Sequence, residues 1–201
     1  DRIMTETGTR LLLLSSPHNP CGTLFTPKEL EALAALCARH DVLVCSDEIH
    51  ADFILEENQT HTPLAAVSDQ ARDRTITLMA PSKTFNIPGL GISFAVIPNP
   101  ELRQQFNQAC AGILPHPGLM GVLAARTAYR DCLDWLESLL TRLRENHALV
   151  AERVGRMKGC RMKPVQATYL AWIDMRETGI PDLLPFFEKA GAGLHDGALF
   201  G

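Results

Sequence analysis

Hydrophobic positions in the first hundred residues alternate between short runs and helical spacings. The short apolar runs predict four β-strands, over residues 10–15, 42–46, 75–79 and 92–97. Between the first two runs, residues 26–29 (TPKE) have the capping-box pattern of a helix start, and the apolar residues that come after it recur on one helical face. This strand–helix–strand order predicts an α/β fold with a mostly parallel sheet and helices on both faces.

Helical spacing dominates after residue 98. The pattern predicts helices from residue 99 onward and over 118–130 and 133–157, a strand over 168–173, a helix over 182–190 and the start of a further strand at 194–195. Because βα alternation precedes the long helix and an αβ layer comes after it, we expect two units. Residues 1–135 would form part of a large domain. Residues 136–201 would form a connecting helix and part of a smaller C-terminal α/β domain.

Composition narrows the functional classes. The chain has 201 residues, with 19 Lys and Arg against 23 Asp and Glu, so its net charge is −4 and it has no excess of basic charge for nucleic acid. Its longest aliphatic run, residues 11–14, is far below the ~18 apolar residues of a membrane span. The six cysteines form no C-x-x-C pair and the seven histidines no zinc pattern. We therefore expect a cytoplasmic protein with reduced, mostly core thiols and no metal site.

Three polar residues stand where predicted strands end. Asn19 follows the first strand, Asp47 ends the second and Lys83 follows the third. In an open α/β sheet, ligands collect beyond the carboxyl ends of the strands, so these side chains can converge. An amine, a carboxylate and an amide suit pyridoxal phosphate, which needs a Schiff-base partner, a group that keeps its ring nitrogen protonated and a donor to its phenolic oxygen. Taken singly, each residue is more typical of a turn, a cap or a solvated loop than of a cofactor site.

The strings around these residues are more specific. Residues 16–22 (SPHNPCG), 46–52 (SDEIHAD) and 80–86 (APSKTFN) resemble, in order and with matching gaps, three motifs of the fold-type I pyridoxal-phosphate enzymes, the aspartate aminotransferase superfamily. Within it, the chain looks most like the cystathionine β-lyase-type C–S lyases often called MalY/PatB. The resemblance implies a PLP-dependent transferase-like fold with pyridoxal 5′-phosphate as cofactor.

The resemblance also implies a role for each matching position. Lys83 would bond to the cofactor and later take the substrate Cα proton, and Asp47 would pair with the pyridinium nitrogen. Asn19 would donate to the phenolic oxygen. His50 occupies the place where many aminotransferases have a tyrosine near that same oxygen, and its alternative is a packed histidine beside Asp47. Ser82 would lie near the phosphate.

Three further positions bear on the match. Tyr169, in residues 167–172 (ATYLAW), resembles a stretch of the small domain that approaches the site, and is a candidate substrate contact or simply a half-buried strand tyrosine. Ala80 and Gly91 stand where many members carry a Ser and an Arg that reach the phosphate. The arginine is often missing in the C–S lyase branch, so Gly91 favours that branch, while both changes leave the phosphate with fewer anchors.

The function implied is a C–S β-lyase that converts a small sulfur amino acid by α,β-elimination to pyruvate, ammonia and a thiol. An aminotransferase with the same cofactor is the first alternative, and a pyridoxal-phosphate-binding regulatory protein is the second. The resemblance further implies a homodimer. Since it covers only the middle of a family member, we expect the chain to be a fragment that turns over substrate poorly on its own.

Overall fold

Four strands form one sheet whose order is that of the chain, β1-β2-β3-β4. The structure is a computed structural model, which describes residues 1–200. Its helices and strands, in chain order, are α1 (Arg2–Thr7), β1 (Leu11–Ser15), α2 (Pro27–Arg39), β2 (Leu43–Asp47), α3 (Asp69–Arg74), β3 (Thr75–Met79), α4 (Pro81–Thr84), β4 (Phe94–Val96), α5 (Pro100–Cys110), α6 (Leu119–Asp131), α7 (Leu133–Gly155), β5 (Arg161–Met162), β6 (Ile173–Asp174) and α8 (Leu183–Lys189). Strands β5 and β6 form a separate antiparallel pair.

The register of the sheet places three strand ends at one edge. Strands β1, β2 and β3 are parallel, and β4 is antiparallel to β3. Ser15 lies opposite Asp47, and Asp47 lies opposite Leu78. The hydrogen bonds between the strands end at this level. The Ser16 N–H donates to the Asp47 carbonyl at 3.0 Å, and the Glu48 N–H donates to the Leu78 carbonyl at 3.0 Å. The loops that leave the three strands therefore start side by side.

One face of the sheet is covered by α2 and α3, which form the main core. The helix α2 begins at the expected capping box, in which the Glu29 N–H donates to Thr26 Oγ1 at 3.3 Å and the Thr26 N–H donates to Glu29 Oε2 at 2.8 Å. Its buried side chains meet those of β2, α3 and the 3-10 turn before α3. The core comprises Leu30, Ala34, Cys37, Val42, Val44, Leu64 and Ala71.

The other face of β1 is open within residues 1–200. Because side chains alternate along a strand, Leu12 and Leu14 pack on the core while Leu11 and Leu13 point the other way. Leu13 is 74% exposed. The α/β fold class with a mostly parallel sheet is thus confirmed, and the layer over this part of the second face is not formed by residues 1–200.

The predicted helices and strands agree best with the structure where a single apolar pattern determines the element. The long helix predicted over residues 133–157 is α7 (Leu133–Gly155), and the strand predicted over 75–79 is β3. The division after residue 135 falls within the first turn of α7 and stays a prediction. None of the helices in residues 1–200 combines the length and the apolarity that crossing a membrane requires.

Two predicted strands are wrong. Residues 168–173 are largely irregular, because Thr168 adopts a left-handed φ of 73° that an extended strand excludes, and only the last of them enters β6. Residues 194–195 form no strand and lead into a 3-10 turn at Gly197–Phe200.

The prediction that the cysteines are mostly core residues is wrong. All six thiols are free in the structure, but only Cys37 is buried. Cys110 ends α5 and Cys132 lies between α6 and α7, where a side chain is part-exposed. The thiols are therefore not mostly core residues.

We expect Leu64→Ala to lower the free energy of unfolding by about 2–4 kcal/mol, because it leaves a cavity at a position that is 1% exposed. Urea denaturation measures the change. The control, Leu199→Ala, removes the same atoms at a position that is 79% exposed and should shift the midpoint little. Equal losses in the two variants would contradict this assignment of the core.

Candidate active site

The first of the three strings forms a tight loop after β1. The Asn19 N–H donates to Ser15 Oγ at 3.2 Å, and the loop closes where the His18 N–H donates to the Thr23 carbonyl at 2.9 Å. These bonds hold the exposed Asn19 side chain above the end of β1. Its Nδ2 lies 3.5 Å from His50 Nε2, which belongs to the second string.

The second string turns sharply at the end of β2. The Asp47 carboxylate is exposed, and its Oδ1 accepts a hydrogen bond from the Ile49 N–H at 3.1 Å. Two further turns come next, in which the Ala51 N–H donates to the Glu48 carbonyl and the Phe53 N–H donates to the His50 carbonyl. The turns orient Asp47 toward the edge of the sheet and His50 toward Asn19.

The third string forms the one-turn helix α4 after β3. Pro81 occupies its first turn, where a missing N–H costs nothing, and the Phe85 N–H closes the turn on the Pro81 carbonyl at 2.9 Å. Lys83 is exposed, and its side chain forms no ion pair with any other part of residues 1–200. Ser82 is half-buried on the same turn. Lys83 is therefore placed at the same edge as Asp47 with its amine free to react.

His50 is the buried member of the site. It is 2% exposed, and its Nδ1 has no hydrogen-bond partner in residues 1–200. Burial lowers the pKa of His50, and the charge of Lys83 lowers it further while the charge of Asp47 opposes both. Since Asn19 Nδ2 can only donate, a hydrogen bond between them requires a neutral His50 that carries its proton on Nδ1.

The C-terminal part of the chain reaches this edge through Tyr169. Its ring meets the Phe53 ring edge-on at 5.1 Å between centroids and lies 5.5 Å from the His50 ring. The backbone before it is bound to the first string and to the residue that follows the second: the Ala167 N–H donates to the Gly22 carbonyl at 3.0 Å, and the Thr168 N–H donates to the Phe53 carbonyl at 2.9 Å. Tyr169, 42% exposed, thus forms one wall beside His50.

A buried acid next to Asp47 is a feature that the motifs do not reveal. Glu48 is 1% exposed and points into the core, where its Oε2 lies 2.6 Å from His61 Nε2. Its Oε1 accepts from the Ser46 hydroxyl at 2.9 Å and from the Leu64 N–H at 3.2 Å. Strand alternation predicts that Glu48 faces away from Asp47, but nothing in the sequence pairs it with His61.

The structure brings together five of the six predicted residues, and the sixth, Ser82, is half-buried on the turn that carries Lys83. Exposed carboxylate, amine and amide groups share one edge, beside a buried imidazole with a free Nδ1. This donor set fits pyridoxal phosphate, which needs those three groups around its ring and aldehyde. Within residues 1–200, no group of three or more His, Cys, Asp or Glu side chains could hold a metal ion.

Comparison with known proteins identifies the family. Residues 2–191 match the sequence profile of the family described as Aminotransferase class I and II. The chain belongs to this family. The match covers all three strings and the Tyr169 segment, and the family membership predicted from those strings is confirmed.

Individual relatives support the same assignment. The chain is 37% identical to cystathionine β-lyase PatB of Bacillus subtilis (strain 168) over 188 residues, which is 89% of this chain and 46% of PatB. The chain is 49% identical in sequence to OvoB. Its structure matches the crystal structure of OvoB with a TM-score of 0.93 over 96% of this chain and 51% of OvoB. Cystalysin from Treponema denticola, whose crystal structure contains pyridoxal 5′-phosphate, is 31% identical with a TM-score of 0.87 over 96% of this chain and 50% of cystalysin. The chain spans about half the length of the curated relatives it matches.

The lowered pKa of His50 predicts a pH dependence of stability. A histidine whose folded pKa lies below its unfolded value binds protons more readily in the unfolded state, so the protein loses stability as pH falls through and below about 6.5. We expect His50→Gln to reduce the decrease in the free energy of unfolding between pH 7 and pH 5. Urea denaturation at each pH measures this change. The exposed His116→Gln is the control and should leave the slope unchanged. An identical slope in His50→Gln and the unsubstituted protein would contradict the prediction.

Proposed function

We propose that the protein is a pyridoxal-phosphate-dependent C–S β-lyase that acts on small sulfur-containing amino acids. The observation that carries the proposal is the placement of Lys83, Asp47 and Asn19 at one edge of a parallel sheet. The similarity to PatB, named a cystathionine β-lyase, and to cystalysin, which contains this cofactor, supports the choice of cofactor and reaction.

The bound cofactor would supply an electron sink for the charge that develops when the substrate loses its Cα proton. Asp47, an exposed carboxylate fixed by the Ile49 N–H, would keep the ring nitrogen protonated. Lys83 would bind the cofactor through its amine and would then accept and return the Cα proton. Asn19 Nδ2 would donate to the phenolic oxygen.

His50 and Tyr169 would line the same pocket from the side. A neutral His50 adds no positive charge near the phenolic oxygen, and its Nδ1–H remains as a buried donor. Tyr169 would face the substrate, while its ring limits the access of water to His50. Ser82 would lie near the phosphate, on the turn that carries Lys83.

An aminotransferase is the second candidate, since the family itself is described by that reaction. The two reactions share the removal of the Cα proton by Lys83 and differ in the next step. A lyase expels the sulfur from Cβ as a thiol, whereas an aminotransferase passes the amino group of the substrate to a keto acid. Asn19, Asp47 and Lys83 serve both reactions equally, and the similarity to PatB favours the lyase.

We also propose a cytoplasmic homodimer. Six free thiols are typical of a reducing compartment. The segment between α5 and α6 exposes Ile113 and Leu114, and the start of α6 exposes Leu119 and Met120. Neighbouring apolar side chains of this size favour an interface with another subunit.

Lys83→Ala should lower the rate of pyruvate release from cystathionine by at least about 100-fold, because the amine both binds the cofactor and moves the Cα proton. A lactate-dehydrogenase-coupled assay measures pyruvate. The control is Lys163→Ala, which removes an exposed lysine and should keep the rate. Undiminished activity in Lys83→Ala would contradict the proposal.

The balance between the two reactions is measured separately. Incubation with cystathionine should release pyruvate, ammonia and a thiol in equal amounts without any added keto acid. Incubation with a keto acid acceptor should leave the rate unchanged. Amino-acid consumption that depends on the keto acid, without thiol release, would identify an aminotransferase instead.

A further inference from the structure

A part-buried hydrogen bond joins the segments that carry Asp47 and Lys83. The Thr84 hydroxyl donates to Asp52 Oδ2 at 2.8 Å. Thr84 is fully buried and comes directly after Lys83 in α4. Asp52 belongs to the turns after Asp47 at the end of β2. The bond therefore spans the gap between the acid-bearing turn and the lysine-bearing turn.

Both ends of this bond are fixed to the backbone. On one side, the Ala51 N–H donates to the Glu48 carbonyl at 2.9 Å and the Phe53 N–H donates to the His50 carbonyl at 3.0 Å. Asp52 lies between these turns, so its backbone cannot move without moving them. On the other side, Thr84 ends a helix of four residues. A change in the separation of the Thr84 and Asp52 backbones is thus a change in the separation of the two turns.

The sheet itself does not hold these turns together. The ladder between β2 and β3 ends where the Glu48 N–H donates to the Leu78 carbonyl. Past that point, the Thr84–Asp52 bond is the one hydrogen bond between residues 49–53 and residues 80–87 within the described part of the chain. Beyond the sheet edge, one side-chain hydrogen bond therefore adds to packing in holding the two turns at a fixed spacing.

The surroundings make this contact costly to lose. The Tyr129 ring packs edge-on against Phe85 at 5.2 Å, and its buried hydroxyl has no partner in residues 1–200. Burial, with the charge of Asp52, raises the pKa of Tyr129 to about 12, so this phenol remains neutral beside the carboxylate. Because Thr84 is fully buried, no solvent replaces the carboxylate as partner of its hydroxyl, and a hydrogen bond to a carboxylate is stronger than one between neutral groups.

We propose that Asp52 and Thr84 are positioning residues that set the Lys83 amine at the distance from Asp47 that pyridoxal phosphate requires. The inference rests on the proposed function, since it assigns the purpose of a contact next to the proposed cofactor site. Neither residue is placed against the cofactor. Their effect would pass through the two turns whose spacing they hold.

The test compares two fully buried threonines whose hydroxyls each donate one hydrogen bond. Thr84→Val removes the hydroxyl that reaches Asp52. Thr75→Val is the matched control, because Thr75 is also fully buried and donates to the Ala71 carbonyl at 2.7 Å, but at the opposite end of β3. Thr84→Ser keeps the hydroxyl and serves as the rescue. Each cofactor-free protein is incubated with sub-saturating pyridoxal phosphate and borohydride, and mass spectrometry measures the fraction of Lys83 that is labelled.

Thermal unfolding of the same cofactor-free proteins gives the structural baseline. We expect Thr84→Val and Thr75→Val to lower Tm by similar amounts. Labelling of Lys83 should fall about tenfold in Thr84→Val alone, as for the loss of a charge-assisted hydrogen bond. Thr84→Ser should restore most of the labelling. If Thr84→Val does not fold, Asp52→Asn replaces it and is expected to reduce labelling in the same direction.

Two results would overturn the inference. Equal labelling of Lys83 in Thr84→Val and Thr75→Val, with any loss of labelling proportional to the loss of Tm, would show that the bond is purely structural. Failure of Lys83 to become labelled in the unsubstituted protein would overturn the proposed function and this inference with it. Labelling of the unsubstituted protein with no specific loss in Thr84→Val leaves the proposed function standing and removes only the positioning role.

Discussion

The parallel register of β1, β2 and β3 is the constraint on which the site depends. It sets Ser15, Asp47 and Leu78 at one level, so that three separate loops leave the sheet together. A shift of one residue in β2 would turn Asp47 into the core and Glu48 toward the edge, because neighbouring side chains point to opposite faces. The burial of Glu48 against His61, Ser46 and the Leu64 N–H opposes that shift, since exchanging it would leave those polar groups unpaired. Glu48, which has no proposed role in the reaction, thus fixes the orientation of Asp47, which has one.

A C-terminal segment that is distant in sequence from the three strands also contributes to the site. Residues 165–169 are bound to the loop after β1 through Gly22 and to the turn after β2 through Phe53. Thr168 takes a left-handed backbone conformation there, which is unfavourable for a β-branched residue and is held by these contacts. The outcome is a Tyr169 ring placed over His50. The histidine is shielded from water on that side, consistent with its lowered pKa.

Much of the fold and of the candidate site could be predicted from the sequence, because local rules decide those parts. Apolar runs predict β1, β2 and β3 to within one residue, and the capping box at residues 26–29 marks the start of α2. The rule that ligand-binding polar groups stand just past strand ends predicts that Asn19, Asp47 and Lys83 meet. The features that escaped prediction depend on contacts between distant segments. Nothing local pairs Glu48 with His61 or Asp52 with Thr84. The apolar pattern of residues 168–173 predicts a strand, but the hydrogen bonds of Ala167 to Gly22 and of Thr168 to Phe53 hold an irregular backbone at its start.

The central claim is that one amine and one acid, carried by neighbouring strands, bind pyridoxal phosphate together. The absorbance spectrum of the purified protein during titration with pyridoxal phosphate tests it most directly. The account predicts a band at about 420 nm, typical of the cofactor bonded to a lysine, that saturates at one cofactor per chain and disappears in Lys83→Ala. A spectrum that stays that of free cofactor, or a band that persists unchanged in Lys83→Ala, would contradict it.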